Sequence, residues 1–437
     1  MQSGGSFIIK TIKHGGGTQI MTTESTEVPV MGKAETQPSI GLMLAMFVLL
    51  LASYAINAMD RQVFPLLATN IRKEFGFSLA DIGLLSTIFT LGMAVAGWPT
   101  GYLLARFSRK TVVQIGVAIF SAGTLLTALA SGMSDMLIYR AATGVGEAMQ
   151  LTALIAIATT AFVRARAVAV GSVNAAFGIG AIIGPLIASA ALAAYGSWRG
   201  PIILFGLIGF AAIVVIALLV RPAFSEMQGR TDGARLRGGA GTLMNRNTII
   251  LVVLSVIGGL IIYGYLGMYP VFLREQLHYS TAETGRVMSI YGIGALCSVI
   301  GGWFGDRFPA RPVLGLAFLG AAALGYLLFS GAQSFEAQSL FSFLWGFIVS
   351  GTIYVNLAGF HVKSVDTSLA GSASGVFVTS LYGAAAVAGY LLGLLASRVG
   401  WGPAGLIQIT ALSVIGLVLS LGLRSDRMSV RAAATSA

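Results

Sequence analysis

Apolar runs long enough to cross a bilayer recur along this chain from Gly41 to Leu423, and no other feature restricts its fold as severely. A membrane-spanning helix needs about 20 predominantly apolar residues, and it pairs every backbone amide and carbonyl within itself. Twelve segments meet that length: 41–68, 79–105, 110–131, 136–162, 167–194, 201–220, 248–271, 284–305, 312–331, 337–361, 371–397 and 402–423. They are continuous and rich in Ala, Leu, Ile and Gly, whereas barrel strands would be segments of about 10 residues with alternating polarity. The sequence therefore predicts an all-α membrane protein with twelve transmembrane helices. Only 10% of the 437 residues are charged, too few to coat a soluble domain, which carries about 25%.

The longest polar interruption, Arg221 to Asn247, separates six spans from six. The expected organisation is a disordered cytoplasmic tail at 1–40, a six-helix half at 41–220, a cytoplasmic linker at 221–247, a second six-helix half at 248–423 and a cytoplasmic tail at 424–437. The apolar pieces of the first tail are too short for a cleaved signal peptide, and Met21 and Met31 are alternative starts. With both termini cytoplasmic, 19 of the 27 Lys and Arg residues fall on the cytoplasmic side. Six (Arg72, Lys73, Arg199, Arg274, Arg286 and Arg398) fall in outer loops, and Arg61 and Arg140 lie inside spans. The positive-inside rule favours this orientation, and a bacterial-type inner (plasma) membrane is the expected location.

The same scatter of cations excludes nucleic acid as a partner of this +11 chain, because no basic face or nucleic-acid module is formed. Cys297 is the single cysteine and His14, His278 and His361 lie far apart, so neither a disulfide nor a metal centre is expected. No Walker loop is present and Gly144 and Gly146 sit inside a span, where they serve packing; no cofactor and no enzymatic activity are expected. The partners implied are the lipid bilayer, a small-molecule substrate and protons, with the protein acting as a monomer.

Away from the span ends, charge within the spans is confined to two stretches. Asn57, Asp60 and Arg61 precede Pro65 in the first span, and Arg140 and Glu147 lie in the fourth. An ionised side chain at bilayer depth costs at least about 2.5–3.5 kcal/mol and so usually faces an aqueous cavity and works there. Arg140 and Glu147, seven apart, share a helical face. Burial and a neighbouring arginine act oppositely on a carboxyl's proton affinity, so small rearrangements can load or unload it. Arginine stays charged and offers a planar donor fork suited to carboxylate or phosphate. The combination can couple proton movement to anion binding, and that is the function expected of it. A plainer reading of the same residues is a pair of structural bridges locking spans 1 and 4 together.

The halves also repeat: Gly101, Ala105 and Arg106 after the second span correspond to Gly302, Asp306 and Arg307 after the eighth, 201 residues on. Such a glycine lets helices approach closely while the charges meet helix ends. With these residues the sequence resembles the major facilitator superfamily, whose signature between spans 2 and 3 is G-x-x-x-D-R-x-G-R-[RK]. The first copy reads Gly101, Ala105, Arg106, Ser108, Arg109, Lys110, lacking the aspartate and second glycine; the second matches at Gly302, Asp306 and Arg307 and departs at Pro309 and Ala310. Gly180, Gly184 and Pro185 in span 5 resemble part of the superfamily's antiporter motif. The resemblance implies two six-helix halves of the major facilitator fold and transport by alternating access.

Within that superfamily the acid and arginine positions resemble both anion:cation symporters and Spinster-like lipid transporters. The former implies Arg61 and Arg140 as anion contacts and Asp60 and Glu147 as proton-coupling acids. Neutral polar groups must supply the second half's share of a central site, and Tyr263, Tyr265, Tyr269, Tyr291, Tyr354, Asn356, Ser380 and Tyr382 are the candidates, with Tyr263, Tyr354, Asn356 and Tyr382 foremost beside Asn57. The function expected is proton-coupled symport of a small organic anion. The alternatives are export of lysolipid or drug-like amphiphiles and, less favoured, a non-transporting membrane sensor.

Overall fold

A computed structural model describes residues 39–162, 166–227, 236–237, 239–366 and 369–431; of the tail expected at 1–40, residues 1–38 lie outside them. Twelve spans are formed: α1 (Ile40–Phe75), α2 (Leu79–Thr87 and Phe89–Arg106), α3 (Arg109–Ala128), α4 (Met133–Ala161), α5 (Arg166–Tyr195), α6 (Arg199–Leu219), α7 (Arg246–Glu275), α8 (Thr281–Leu296 and Ser298–Arg307), α9 (Ala310–Ser330), α10 (Phe335–Lys363), α11 (Ala370–Val399) and α12 (Trp401–Ser420). The π-helical turns Gly346–Tyr354 and Leu406–Ala411 lie within α10 and α12. The helices outrun the apolar segments at their ends. Arg72 and Lys73, expected in a loop, form the last turn of α1, which continues helical through Pro65.

The two halves begin their second helices in the same way. Ser78 and Asp81 form a capping box at the start of α2, and Ser280 and Glu283 form one at the start of α8. Each serine accepts from the third helical amide while the acid returns to the serine amide, satisfying two otherwise orphaned donors.

The tightest approaches between halves lie from mid-helix toward the end away from the termini. There Gly83 of α2 meets Gly389 of α11 backbone to backbone, Thr87 donates to the Ala386 carbonyl at 3.0 Å, and Ser289 of α8 donates to the Ile182 carbonyl of α5 at 2.7 Å. Arg72 and Glu275 join α1 to α7 at 2.7 Å. On the terminal parts of the same helices, Gly101, Gly171, Gly371 and Gly375 have no neighbour within 4 Å where a Cβ would stand.

The segments expected as linker and second tail carry structure of their own. Pro222–Ser225 is one helical turn, and β1 (Leu236–Arg237) pairs antiparallel with β2 (Val430–Arg431). Met428 is buried and the Ser429 amide donates to the Lys363 carbonyl, so the chain after α12 packs under the second half.

Candidate functional site

The four intramembrane ions meet. In α1 successive residues point about 100° apart, so Asp60 and Arg61 take different partners on α4. Arg61 Nε lies 2.8 Å from Glu147 Oε2, off the hydrogen-bond line, and Arg140 Nη1 lies 3.9 Å from Asp60 Oδ2. All four are at most 6% exposed, and two positive and two negative charges balance. Thr124 of α3 donates to Asp60 Oδ1 at 3.0 Å. The Arg140 guanidinium stands over the rings of Phe64 and Phe89, 4.7 and 5.3 Å from their centroids.

This cluster is under-satisfied. Arg140 Nε and Nη2, Arg61 Nη2, Glu147 Oε1 and Asp60 Oδ2 are buried without a hydrogen-bond partner. A dry, purely structural bridge requires good geometry and bonds to the remaining lone pairs and protons to offset desolvation. The cluster thus keeps guanidinium donors and carboxylate acceptors that its present geometry does not pair.

Beside the ions, Asn57 donates to Gln150 Oε1 at 2.9 Å and to the Glu147 carbonyl, and Gln150 donates onward to Ser53. Asn57 thus braces α1 against α4. Gln150, Tyr54, Thr124 and Phe177, whose ring lies 5.6 Å from the Arg61 guanidinium, were not singled out from sequence. Helical spacing carried a signal for two of them: Gln150 is one turn beyond Glu147, and Tyr54 two turns before Arg61.

Across the interface, the second half brings tyrosines to the same place. Tyr263 and Tyr382 lie within electrostatic reach of Arg61, as does Tyr54. Tyr354 and Tyr382 share a hydrogen bond of 2.9 Å, and the Tyr263 and Tyr382 rings pack edge to face at 5.8 Å. Arg61, Gln62, Phe89, Phe177 and Tyr263 line a small cavity between the halves. By contrast, Tyr265 and Tyr269 stack at 4.5 Å and bond to Ser342 and Gln338 inside the second half, and Tyr291 bonds to Ser350.

Asn356, expected among the substrate contacts, is instead spent on packing. Its amide donates to the Gly301 and Thr352 carbonyls at 2.8 Å each, and its Oδ1 fills the space where a Cβ on Gly305 would stand. The repeat glycines also need correction. Gly101 has no neighbour and Gly302 only an ordinary contact, whereas Gly301 and Gly305, on the face turned to α10, make the close approaches. Asp306 pairs with Lys363 at 2.9 Å, Arg307 is exposed, and Arg106 stacks on Tyr102 one turn back. Arg109 donates to Thr160 and to the Ser225 and Met227 carbonyls, while Glu226 accepts from the Arg109 and Lys110 amides, so the linker supplies an acid at the start of α3. In α5, Gly180 and Gly184 pack on Ala55 and Met59 of α1, ahead of Pro185.

Twelve helices in two halves with ions and tyrosines facing each other between them define a membrane transporter, not an enzyme. The chain belongs to the Major Facilitator Superfamily, whose family model matches residues 50–389. It is similar to the fosmidomycin resistance protein of Escherichia coli (strain K12), with 24% identity over 85% of this chain and 91% of that protein. It is 23% identical to the 4-hydroxybenzoate transporter PcaK of Acinetobacter baylyi over 68% of this chain and 72% of the relative. Among solved structures, a bacterial homologue of the human lysosomal transporter Spinster, inward-facing and unoccupied, matches with a TM-score of 0.70 at 18% identity, covering 88% of this chain and 96% of that one.

Proposed function

We propose that this protein is a proton-coupled symporter of a small organic anion, working by alternating access as a monomer in a bacterial-type inner membrane with both termini in the cytoplasm. The observation that carries the reading is the set of orphaned guanidinium protons on Arg61 and Arg140 beside the acids Glu147 and Asp60, opposite Tyr263, Tyr354 and Tyr382. A substrate carboxylate competes with Glu147 for Arg61. Protonation of Glu147 releases Arg61, so proton and anion enter together, as charge balance in a low-dielectric site requires. The tyrosines and Phe177 offer hydroxyl and ring contacts to the substrate's body, which suits an aromatic or hydroxylated acid. PcaK is named for such an acid.

Proteoliposomes with an imposed pH gradient test this. Uptake of a labelled hydroxybenzoate should follow the gradient in the wild type. Glu147→Gln should keep binding, read as ligand-induced thermal stabilisation, and lose gradient-driven accumulation; undiminished accumulation would refute the role. The Spinster likeness favours a second reading, export of lysolipid-like amphiphiles, which competition by lysolipids but not by simple carboxylates would support.

A further inference from the structure

We propose that the lipid-facing groove between α8, α9 and α10 is a binding site for an anionic phospholipid of the bilayer, one acyl chain lying in the groove and the phosphate held by Arg307 and Arg311. The groove encloses about 410 Å³ and is lined by Phe304 and Phe308 of α8, Val313, Leu316 and Ala317 of α9, and Ile348 of α10, among others. Thr352, the one polar residue in its wall, donates its hydroxyl to the Phe347 carbonyl, so its only proton is already spent within the wall. Leu316, 70% exposed, marks the open side. From Pro312 to Ala317 the groove follows α9 inward for about 7 Å at the helical rise of 1.5 Å per residue. A concavity of this kind, apolar but for Thr352 and open toward the bilayer, is filled by hydrocarbon.

The mouth of the groove specifies the headgroup. Arg307 ends α8 and Arg311 is the second residue of α9, each directly preceding a groove residue, Phe308 or Pro312. Both are exposed, and neither guanidinium takes part in an ion pair or side-chain hydrogen bond among the described residues. Asp306 is engaged by Lys363 at 2.9 Å. The Arg311 amide donates to Ser425 Oγ, bringing Asp426 and Arg427 alongside, so Arg307, Arg311, Lys363 and Arg427 outnumber Asp306 and Asp426 at this end. Exposed Trp303 and Phe308 flank the site, as aromatic side chains do at headgroup level. Two unpaired guanidinium forks, each one residue from the wall of an apolar slot, match a phosphate joined to an acyl chain. None of these residues belongs to the Arg61 cluster or lines the small cavity beside it, so the groove is a separate site from that cluster.

Native mass spectrometry and thermal melting of the purified protein with phosphatidylglycerol or phosphatidylcholine of identical chains test the site. The wild type should retain phosphatidylglycerol with at least about tenfold preference and gain a larger rise in melting temperature from it, by mass action. Arg307→Gln combined with Arg311→Gln should abolish the preference, and Ala317→Phe, which fills the slot, should lower retention of both lipids. Equal retention of the two lipids by the wild type would overturn the proposal. So would a preference that survives the double substitution, or retention unaffected by Ala317→Phe. Because both arginines are exposed, the double variant decides the matter even if Ala317→Phe does not fold.

Discussion

Replacing Gly389 with alanine should drive the protein out of the conformation described here. An ideal Cβ at Gly389 would stand 2.1 Å from the Gly83 carbonyl oxygen, and one at Gly83 would stand 2.0 Å from the Gly389 carbonyl oxygen. Ordinary contact begins at 3.4 Å, so α2 and α11 must part by about 1.3 Å, and no side-chain rotation relieves a clash with backbone. Overpacking of this kind costs about 1–3 kcal/mol. Separation also strains the bonds from Thr87 to the Ala386 carbonyl and from the Gly389 amide to Thr87, interhelical bonds worth on average about 0.6 kcal/mol each in a membrane. A total of about 2–3 kcal/mol is felt only where the halves touch at this end. The equilibrium should therefore move by roughly 30- to 150-fold toward the conformation open there. Spin labels on the two halves at that end would report the shift as a longer distance in pulsed electron resonance. Gly383→Ala, on the same helix but with no atom within 4 Å, is the control and should change nothing. An unchanged distance distribution for Gly389→Ala, or equal effects of the two substitutions, would refute the reasoning.

The bridge between Arg72 and Glu275, partly buried and joining α1 to α7, should contribute on the order of 1 kcal/mol to the same closed end. Arg72→Ala should shift the spin-label populations about fivefold, and the exchange of Arg72→Glu with Glu275→Arg should restore them. Asn356→Ala should lower stability by about 1–3 kcal/mol, since it removes the buried side-chain bonds to the Gly301 and Thr352 carbonyls and the packing against Gly305, and should leave substrate affinity unchanged; melting and binding measured on one preparation separate the two. Tyr354→Phe and Tyr382→Phe should each weaken substrate binding several-fold, about 1 kcal/mol, and the double variant should fall short of the sum because the two hydroxyls share one bond.

Much of this architecture is legible in the chain because a bilayer leaves few choices. Backbone groups in hydrocarbon must pair within a helix, so the number and approximate limits of the spans follow from apolar length alone. The cost of ions at depth likewise marks Asp60, Arg61, Arg140 and Glu147 in the sequence itself. Tyrosines were not sorted by that rule. Tyr263, Tyr354 and Tyr382 reach the Arg61 cluster whereas Tyr265, Tyr269 and Tyr291 bond within their own half, and composition is the same for both sets.

What the sequence determined by itself was therefore the count of helices, the split into halves and the presence of a buried ionic group. Only the tertiary structure decided which acid meets which arginine, that Gly301 and Gly305 rather than Gly302 touch α10, and that Asn356 serves packing. The reason is geometric. Insertion into a bilayer depends on a sum along one segment, which the sequence contains, whereas each contact depends on the rotation of two helices about their axes, and a step of one residue turns a side chain by about 100°.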